Sequence, residues 1–232
     1  MNPTIIIVIV VLVICISISI GAGVYLSQKD SSASSASTST TSDSKVEPAS
    51  TTPAYVAFKA GAQTGTGAID WGGGNSVYLD RHDVDCSNKG LNQLQLVRPT
   101  DDTIELKYTC ADGGKLGSNV SQSTPANDDG GGNTEFLDRH DANCGDNNVI
   151  TQIQLARPTV DQIQWKYTCA PNTQSEALTC RDLITPANDD GGGSTAYLDR
   201  HNIICDADEA VSRIRLNRPS DNQIQWQYTC CK

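Results

Sequence analysis

The chain predicts an all-β domain made of three copies of one unit of about sixty residues, behind an N-terminal membrane anchor. Three observations carry that expectation. Tyr78-Leu79-Asp80-Arg81-His82 returns as Phe136-Leu137-Asp138-Arg139-His140 and as Tyr197-Leu198-Asp199-Arg200-His201, and these three histidines are the only ones in the protein. Each copy is followed by a cysteine, an alternating apolar run ending in Arg-Pro and a second run ending in Tyr-Thr-Cys. No stretch after residue 54 carries a 3.6-residue period, whereas period two, the mark of a half-buried strand, recurs.

Taken in order, residues 1–3 form a short tail and residues 4–26 hold no charge. At 1.5 Å per residue those 23 positions span roughly 34 Å, enough to cross a hydrocarbon core of about 30 Å. A cleaved signal peptide would need a basic leader and a shorter apolar run, so an uncleaved signal-anchor is expected. Residues 27–53 are mostly Ser, Thr and Ala, which cannot bury enough surface to order themselves. They read as a flexible, O-glycosylation-compatible stalk that holds the domain roughly 30 Å from the bilayer.

The β domain follows at 54–232, divided into repeats at 54–112, 113–171 and 172–232. Each repeat opens on a Gly-rich turn: Asp70-Trp71-Gly72-Gly73-Gly74, then Asn127-Asp128-Asp129 and Asn188-Asp189-Asp190, each of these two before three glycines. The Tyr/Phe-Leu-Asp-Arg-His stretch is expected to be a strand. In the next strand Leu94, Leu96 and Arg98 share a face, as do Ile153, Leu155, Arg157 and Ile214, Leu216, Arg218. Arg-Pro is expected to end it, because proline donates nothing to a ladder. In the last strand Ile104, Leu106, Tyr108 and Cys110 are expected to point inward and Glu105, Lys107 and Thr109 outward. Closure into a single pseudo-threefold body, a β-prism or a β-trefoil, would remove exposed sheet edges.

Charge and cysteines narrow the setting. Two of the 17 basic and three of the 27 acidic residues precede residue 52, so the remainder carries −9. Such a surface argues against nucleic-acid binding, which needs cations to displace counterions. Apart from Cys15 in the apolar run, eight cysteines remain, and six of them follow the repeat at matching places. The simplest pairing is Cys86–Cys110, Cys144–Cys169, Cys205–Cys230 and Cys180–Cys231, with Cys230 and Cys231 exchangeable on spacing alone. An even, repeat-locked set implies an oxidising compartment, and hence a C-terminal domain outside the cytosol. Loss of Cys110 is expected to cost folding.

The candidate chemistry is sparse. Asp80 and His82, Asp138 and His140, Asp199 and His201 could orient one another as acid–base pairs, but no nucleophile recurs beside them. A structural use is expected instead. Asp80, Asp138 and Asp199, or Arg81, Arg139 and Arg200, would pair across the sheet with groups such as Arg98, Arg157 and Arg218, and the histidines would occupy polar strand ends. On that placement His82→Ala would leave the fold nearly intact. A second use gathers the three imidazoles around an axis as a zinc set. The Asn-Asp-Asp-Gly turns, with Asp70 and Trp71 in the first copy, offer hard oxygens for calcium and a loop end where a glycan would bind. No other cofactor is implied. Asn119-Val120-Ser121 is an N-glycosylation sequon between repeats.

The motif Leu-Asp-Arg-His-x-x-x-Cys, then Leu/Ile-x-Leu-x-Arg-Pro, then Ile-x-Leu/Trp-x-Tyr-Thr-Cys resembles Cys-rich repeats in membrane and secreted proteins of algae, protists and their large DNA viruses. The Asn-Pro-Thr start and the Ile/Val-rich anchor look like virion membrane proteins of those viruses. The threefold plan is similar to the vitelline membrane outer layer β-prism, although the strand motifs differ. The resemblance implies no catalytic residues. It implies a surface or virion protein that binds a glycan or another protein, with a purely structural coat role as the alternative and a hydrolase as the last choice.

Overall fold

The computed structural model describes residues 55–232. The anchor at 4–26 and the stalk lie outside the described residues, among which no helix is long and apolar enough to cross a membrane. The first segment contains β1 (Phe58–Gly65), β2 (Ile69–Asp70), a 3-10 helix η1 (Ser76–Arg81), β3 (Asp83–Asp85), β4 (Gly90–Thr100) and β5 (Thr103–Gly113). The second contains β6 (Val120–Ser123), β7 (Asn127–Asp128), η2 (Thr134–Arg139), β8 (Asp141–Asn143), β9 (Asn148–Thr159) and β10 (Gln162–Pro171). The third contains β11 (Cys180–Ile184), β12 (Asn188–Asp189), η3 (Thr195–Arg200), β13 (Asn202–Ile204), β14 (Ala210–Ser220) and β15 (Gln223–Cys231). The domain is all-β, in three antiparallel sheets.

Each sheet is completed by a strand from another segment. The orders are β1-β5-β4-β13, β6-β10-β9-β3 and β11-β15-β14-β8. The long hairpin at the centre of each is local, with Leu96 opposite Leu106, Leu155 opposite Trp165 and Leu216 opposite Trp226. The three-residue strand that covers its edge is borrowed. Val84 of the first segment pairs with Ile153 of the second, Ala142 of the second with Ile214 of the third, and Ile203 of the third with Leu94 of the first. The borrowing runs in a closed cycle, so one edge of every hairpin is paired rather than left as a template for aggregation.

The Tyr/Phe-Leu-Asp-Arg stretch is a 3-10 helix, not the expected strand. In the first two copies a reason lies just upstream, whereas Ser194 in the third makes no side-chain capping bond. Asn75 Oδ1 accepts from Val77 N–H at 2.9 Å and Asn133 Oδ1 from Glu135 N–H at 2.8 Å, helix-capping bonds that a strand does not need. Three residues per turn then bring Tyr78 and Arg81 onto one side, while Leu79, Leu137 and Leu198 go into the core. The histidine ends the helix, its N–H donating to the leucine carbonyl three residues back.

The core is the set of inward faces that alternation predicts, including Ile104, Leu155, Ile163, Trp165, Ile214, Leu216 and Trp226. Four disulfides, Cys86–Cys110, Cys144–Cys169, Cys205–Cys230 and Cys180–Cys231, close it. Arg-Pro does not end the strands. β4, β9 and β14 run past it, and Pro99, Pro158 and Pro219 sit where the hairpin register slips, a bulge at which a missing donor costs nothing. Glu105 and Thr109 are not exposed either, because β1 and the chain that follows it pack over them. Glu105 Oε1 accepts from Gly67 N–H at 3.2 Å and from Lys107 Nζ at 2.9 Å.

Candidate functional site

The three histidines are structural ties in the core, at 0, 0 and 1 % exposure for His82, His140 and His201. Their expected place at accessible strand ends is therefore overturned. Each Nδ1 meets a threonine hydroxyl that the sequence reading passed over: Thr66 at 2.7 Å, Thr124 at 2.9 Å and Thr185 at 3.0 Å. The same threonine N–H donates to the carbonyl of Leu106, Trp165 or Trp226, and its Oγ1 accepts that residue's N–H at 3.2, 3.0 or 2.9 Å. One of the hydroxyl and Nδ1 donates to the other, while each Nε2 is buried without a hydrogen-bond partner. Burial is the largest influence on all three rings and holds their pKa values below the ordinary histidine range. A neutral, enclosed ring with no solvent access is a poor general base.

The imidazoles do not gather as a metal set. Among the described residues, the one group with three metal-type ligand atoms in reach is Cys205, Glu209 and Cys230, and its two sulfurs are already bonded to each other. The acidic turns do not assemble calcium ligands either. Their carboxylates fasten the turns themselves: Asp70, Asp128 and Asp189 accept from Gly72, Gly130 and Gly191 N–H at 2.6, 2.7 and 2.8 Å. Asp129 and Asp190 accept from Gly131 and Gly192 at 2.8 and 2.9 Å. Asn127 and Asn188 donate to the nearby Pro125 and Pro186 carbonyls.

What the turns do assemble is a shallow, open bowl of about 390 Å³, lined by residues 72–75, 131–133 and 192–194. All nine glycines have positive φ, from 60° to 95°, the left-handed region where a Cβ is penalised. Side chains at Gly74, Gly132 and Gly193 would also overlap Ser194, Asn75 and Asn133. The three turns are sewn to one another in a cycle: Ser76 N–H donates to Gly132 O, Thr134 N–H to Gly193 O and Thr195 N–H to Gly74 O, each at 2.8 Å. Beneath them Ser76, Thr134 and Thr195 are fully buried, with Thr134 Oγ1 3.0 Å from Thr195 Oγ1. The bowl is thus backbone amide, two asparagines and a serine. Asp70, Trp71 and the turn aspartates, singled out as ligand-binding from sequence, do not line it.

Around the bowl stand three layered stacks. The rings of Tyr78, Phe136 and Tyr197 lie where a Cβ on Gly72, Gly130 or Gly191 would fall. Over those rings, with centroids at 4.0 Å in every case, lie the guanidiniums of Arg81, Arg139 and Arg200. Arg98 lies over Trp71 at 5.1 Å. The expected pairing of the repeated Asp or Arg with Arg98, Arg157 and Arg218 is not present. Those three donate instead to the carbonyls of Asp101, Val160 and Asp221, and Arg218 also bridges to Glu135 at 2.8 Å. Burial, followed by the neighbouring Asp190 carboxylate of the next segment, raises the pKa of Glu135. Asn119 is exposed, with its Nδ2 donating to Ser87 O at 3.0 Å.

No family model, curated protein or solved structure matches the chain.

Proposed function

We propose that this is a single-pass membrane protein of a cell surface or virion whose disulfide-closed β domain recognises a glycan through the three-turn bowl. The observation that carries this reading is the bowl's lining. Sugars present hydroxyls that both donate and accept, and a rigid surface of backbone N–H and C=O groups, Asn75, Asn133 and Ser194 answers both roles without charge. Three glycines per turn bring the backbone itself to the ligand. The cyclic bonds between turns supply the pre-organisation that keeps the cost of binding low. The four disulfides are compatible with an extracellular or virion-surface setting. We read the domain as a pseudo-threefold β-prism rather than a trefoil, on the support of three separate sheets that exchange short strands in a cycle.

The test is a glycan array probed with the detergent-solubilised full chain and with Gly131→Asn. Gly131 has open space at its Cβ position, and asparagine tolerates its left-handed backbone, so this change fills the bowl and keeps the fold. Binding by the parent chain that the variant loses supports the reading. Absence of binding, or equal binding by a folded variant, returns the domain to a structural coat role.

A further inference from the structure

Arg81, Arg139 and Arg200 follow an aspartate in the chain yet pair with no carboxylate among the described residues. Lys89, Lys107, Arg181, Arg213, Arg218 and Lys232 do find carboxylates. The local geometry explains the difference. In a 3-10 helix residues three apart eclipse, so each arginine lies over the aromatic ring at i−3, and the intervening aspartate falls a third of a turn away. A guanidinium held 4.0 Å over a ring has lost much of its rotamer freedom, yet all three arginines remain exposed. The donor-bearing edge of a guanidinium matches a carboxylate or sulfate with two parallel hydrogen bonds. The ring beneath rests against the bowl's first glycine, so three pre-set anion forks flank one neutral sugar-binding surface.

We propose that the glycan is anionic, and that Arg81, Arg139 and Arg200 each hold one carboxylate or sulfate group of it; this rests on the glycan reading of the bowl. The acidic domain around the forks sets a limit on that ligand. A surface of net −9 beyond residue 51 repels a densely charged polymer, so the fitting ligand carries its charges singly and well spaced on an otherwise neutral chain. Spacing beyond about 8–10 Å is where physiological salt screens the wider repulsion while leaving a direct contact intact.

The experiment immobilises plain dextran, sparsely carboxymethylated dextran and sparsely sulfated dextran, one backbone with three chemistries. The full chain is passed over them in detergent, followed by Arg81→Gln, Arg139→Gln and Arg200→Gln singly and together. These side chains are exposed, and circular dichroism with thermal melting verifies the fold of each variant. The expected result is tighter retention on one or both charged dextrans than on plain dextran. Each single change should weaken it about three- to ten-fold, and the triple change should abolish the preference. The carboxymethyl and sulfate arms then identify which anion is read. Phe136→Leu, which keeps apolar cover but removes the ring face, should weaken binding as Arg139→Gln does. No preference for either charged dextran, or a preference that the triple variant retains, overturns the proposal. If plain dextran or an array glycan is bound, is lost in Gly131→Asn and is untouched by the arginine changes, the bowl reading stands while this one falls.

Discussion

The underside of the turns and their rim have parted company across the three segments. Underneath, Thr66, Thr124 and Thr185, each sixteen residues before its histidine, make the same three bonds: one to the imidazole Nδ1 and two to the backbone of Leu106, Trp165 or Trp226. On the rim, the position after each capped residue pair is Val77, Glu135 or Ala196, and the residue ahead of each glycine triplet is Trp71, Asp129 or Asp190. The buried tie joins a 3-10 helix to the far edge of a hairpin and has one satisfactory chemistry. The side chains at these two turn positions make no bond common to all three segments, and they vary even where they are buried, as Val77, Asp129, Asp190 and Ala196 are. Repetition of a buried polar group is thus no sign of activity here; the histidine–threonine tie is one the fold cannot do without.

That comparison can be broken most forcefully through the disulfides that lie beside the ties. Cys144→Ser with Cys169→Ser should lower stability by about 3–4 kcal/mol on the chain-entropy model, read as a drop in the denaturant midpoint. Next, His140→Ala should cost about 2–4 kcal/mol, since it opens a cavity and leaves the Thr124 hydroxyl without its imidazole partner. A melting temperature within a degree or two of the parent chain would mean that the tie is ornamental.

The pH dependence should follow the same residues. The three folded-state pKa values lie below the unfolded value of 6.5, so unfolded chains take up protons that folded chains refuse. Stability is therefore fully present above about pH 6.5 and is lost as pH falls toward the folded values. Three such groups give a slope of up to about 4 kcal/mol per pH unit, and chemical denaturation at stepped pH would show whether the slope disappears when all three are replaced.

Rim changes should be milder. Glu135 titrates in the opposite sense: its folded pKa is raised, so its contribution is present at low pH and declines as pH rises through that value. Glu135→Gln should consequently gain melting temperature over the parent chain between pH 5 and pH 8, by less than about 1 kcal/mol because Arg218 is part-solvated beside it. Smallest of all, Arg139→Ala should cost about 0.5–1 kcal/mol, the usual worth of an exposed guanidinium on a ring.

Much of this fold was legible in the chain and some was not, for identifiable reasons. Period two in Ile153-x-Leu155 and Ile163-x-Trp165 marks strands because side chains alternate across a pleat, and cysteines locked to those strands mark their bridges. The 3-10 helices are hidden because Tyr-Leu-Asp-Arg has strand-like composition, while the signal that marks two of them sits outside it, in Asn75-Ser76 and Asn133-Thr134 after glycine; Ser194 makes no such bond. Thr66 stands in a Thr-Gly-Thr-Gly run with no local mark of its role; only its constant spacing from the histidine betrays it. The turns are legible in their glycines, but the use of their aspartates is not. An Asx bond from one carboxylate oxygen to the backbone N–H two residues on is reason enough for an aspartate before glycine, and no sequence pattern separates that use from ion binding. The strand exchange was invisible, since a three-residue strand such as Ile203 and its neighbours carries too little pattern to name its partner.

The cyclic loan of short strands also dictates when this protein can finish folding as it is made. The hairpin of β4 and β5 emerges first, yet its open edge is covered only by β13, more than a hundred residues later. Until residues 202–204 leave the ribosome or the translocation channel, that edge stays exposed to any passing strand. A message truncated after the second segment would yield a product with β4 uncovered and β8 without its host sheet. Such a fragment is open to pairing with its own kind, so quality control of this protein amounts to checking that its last third has arrived.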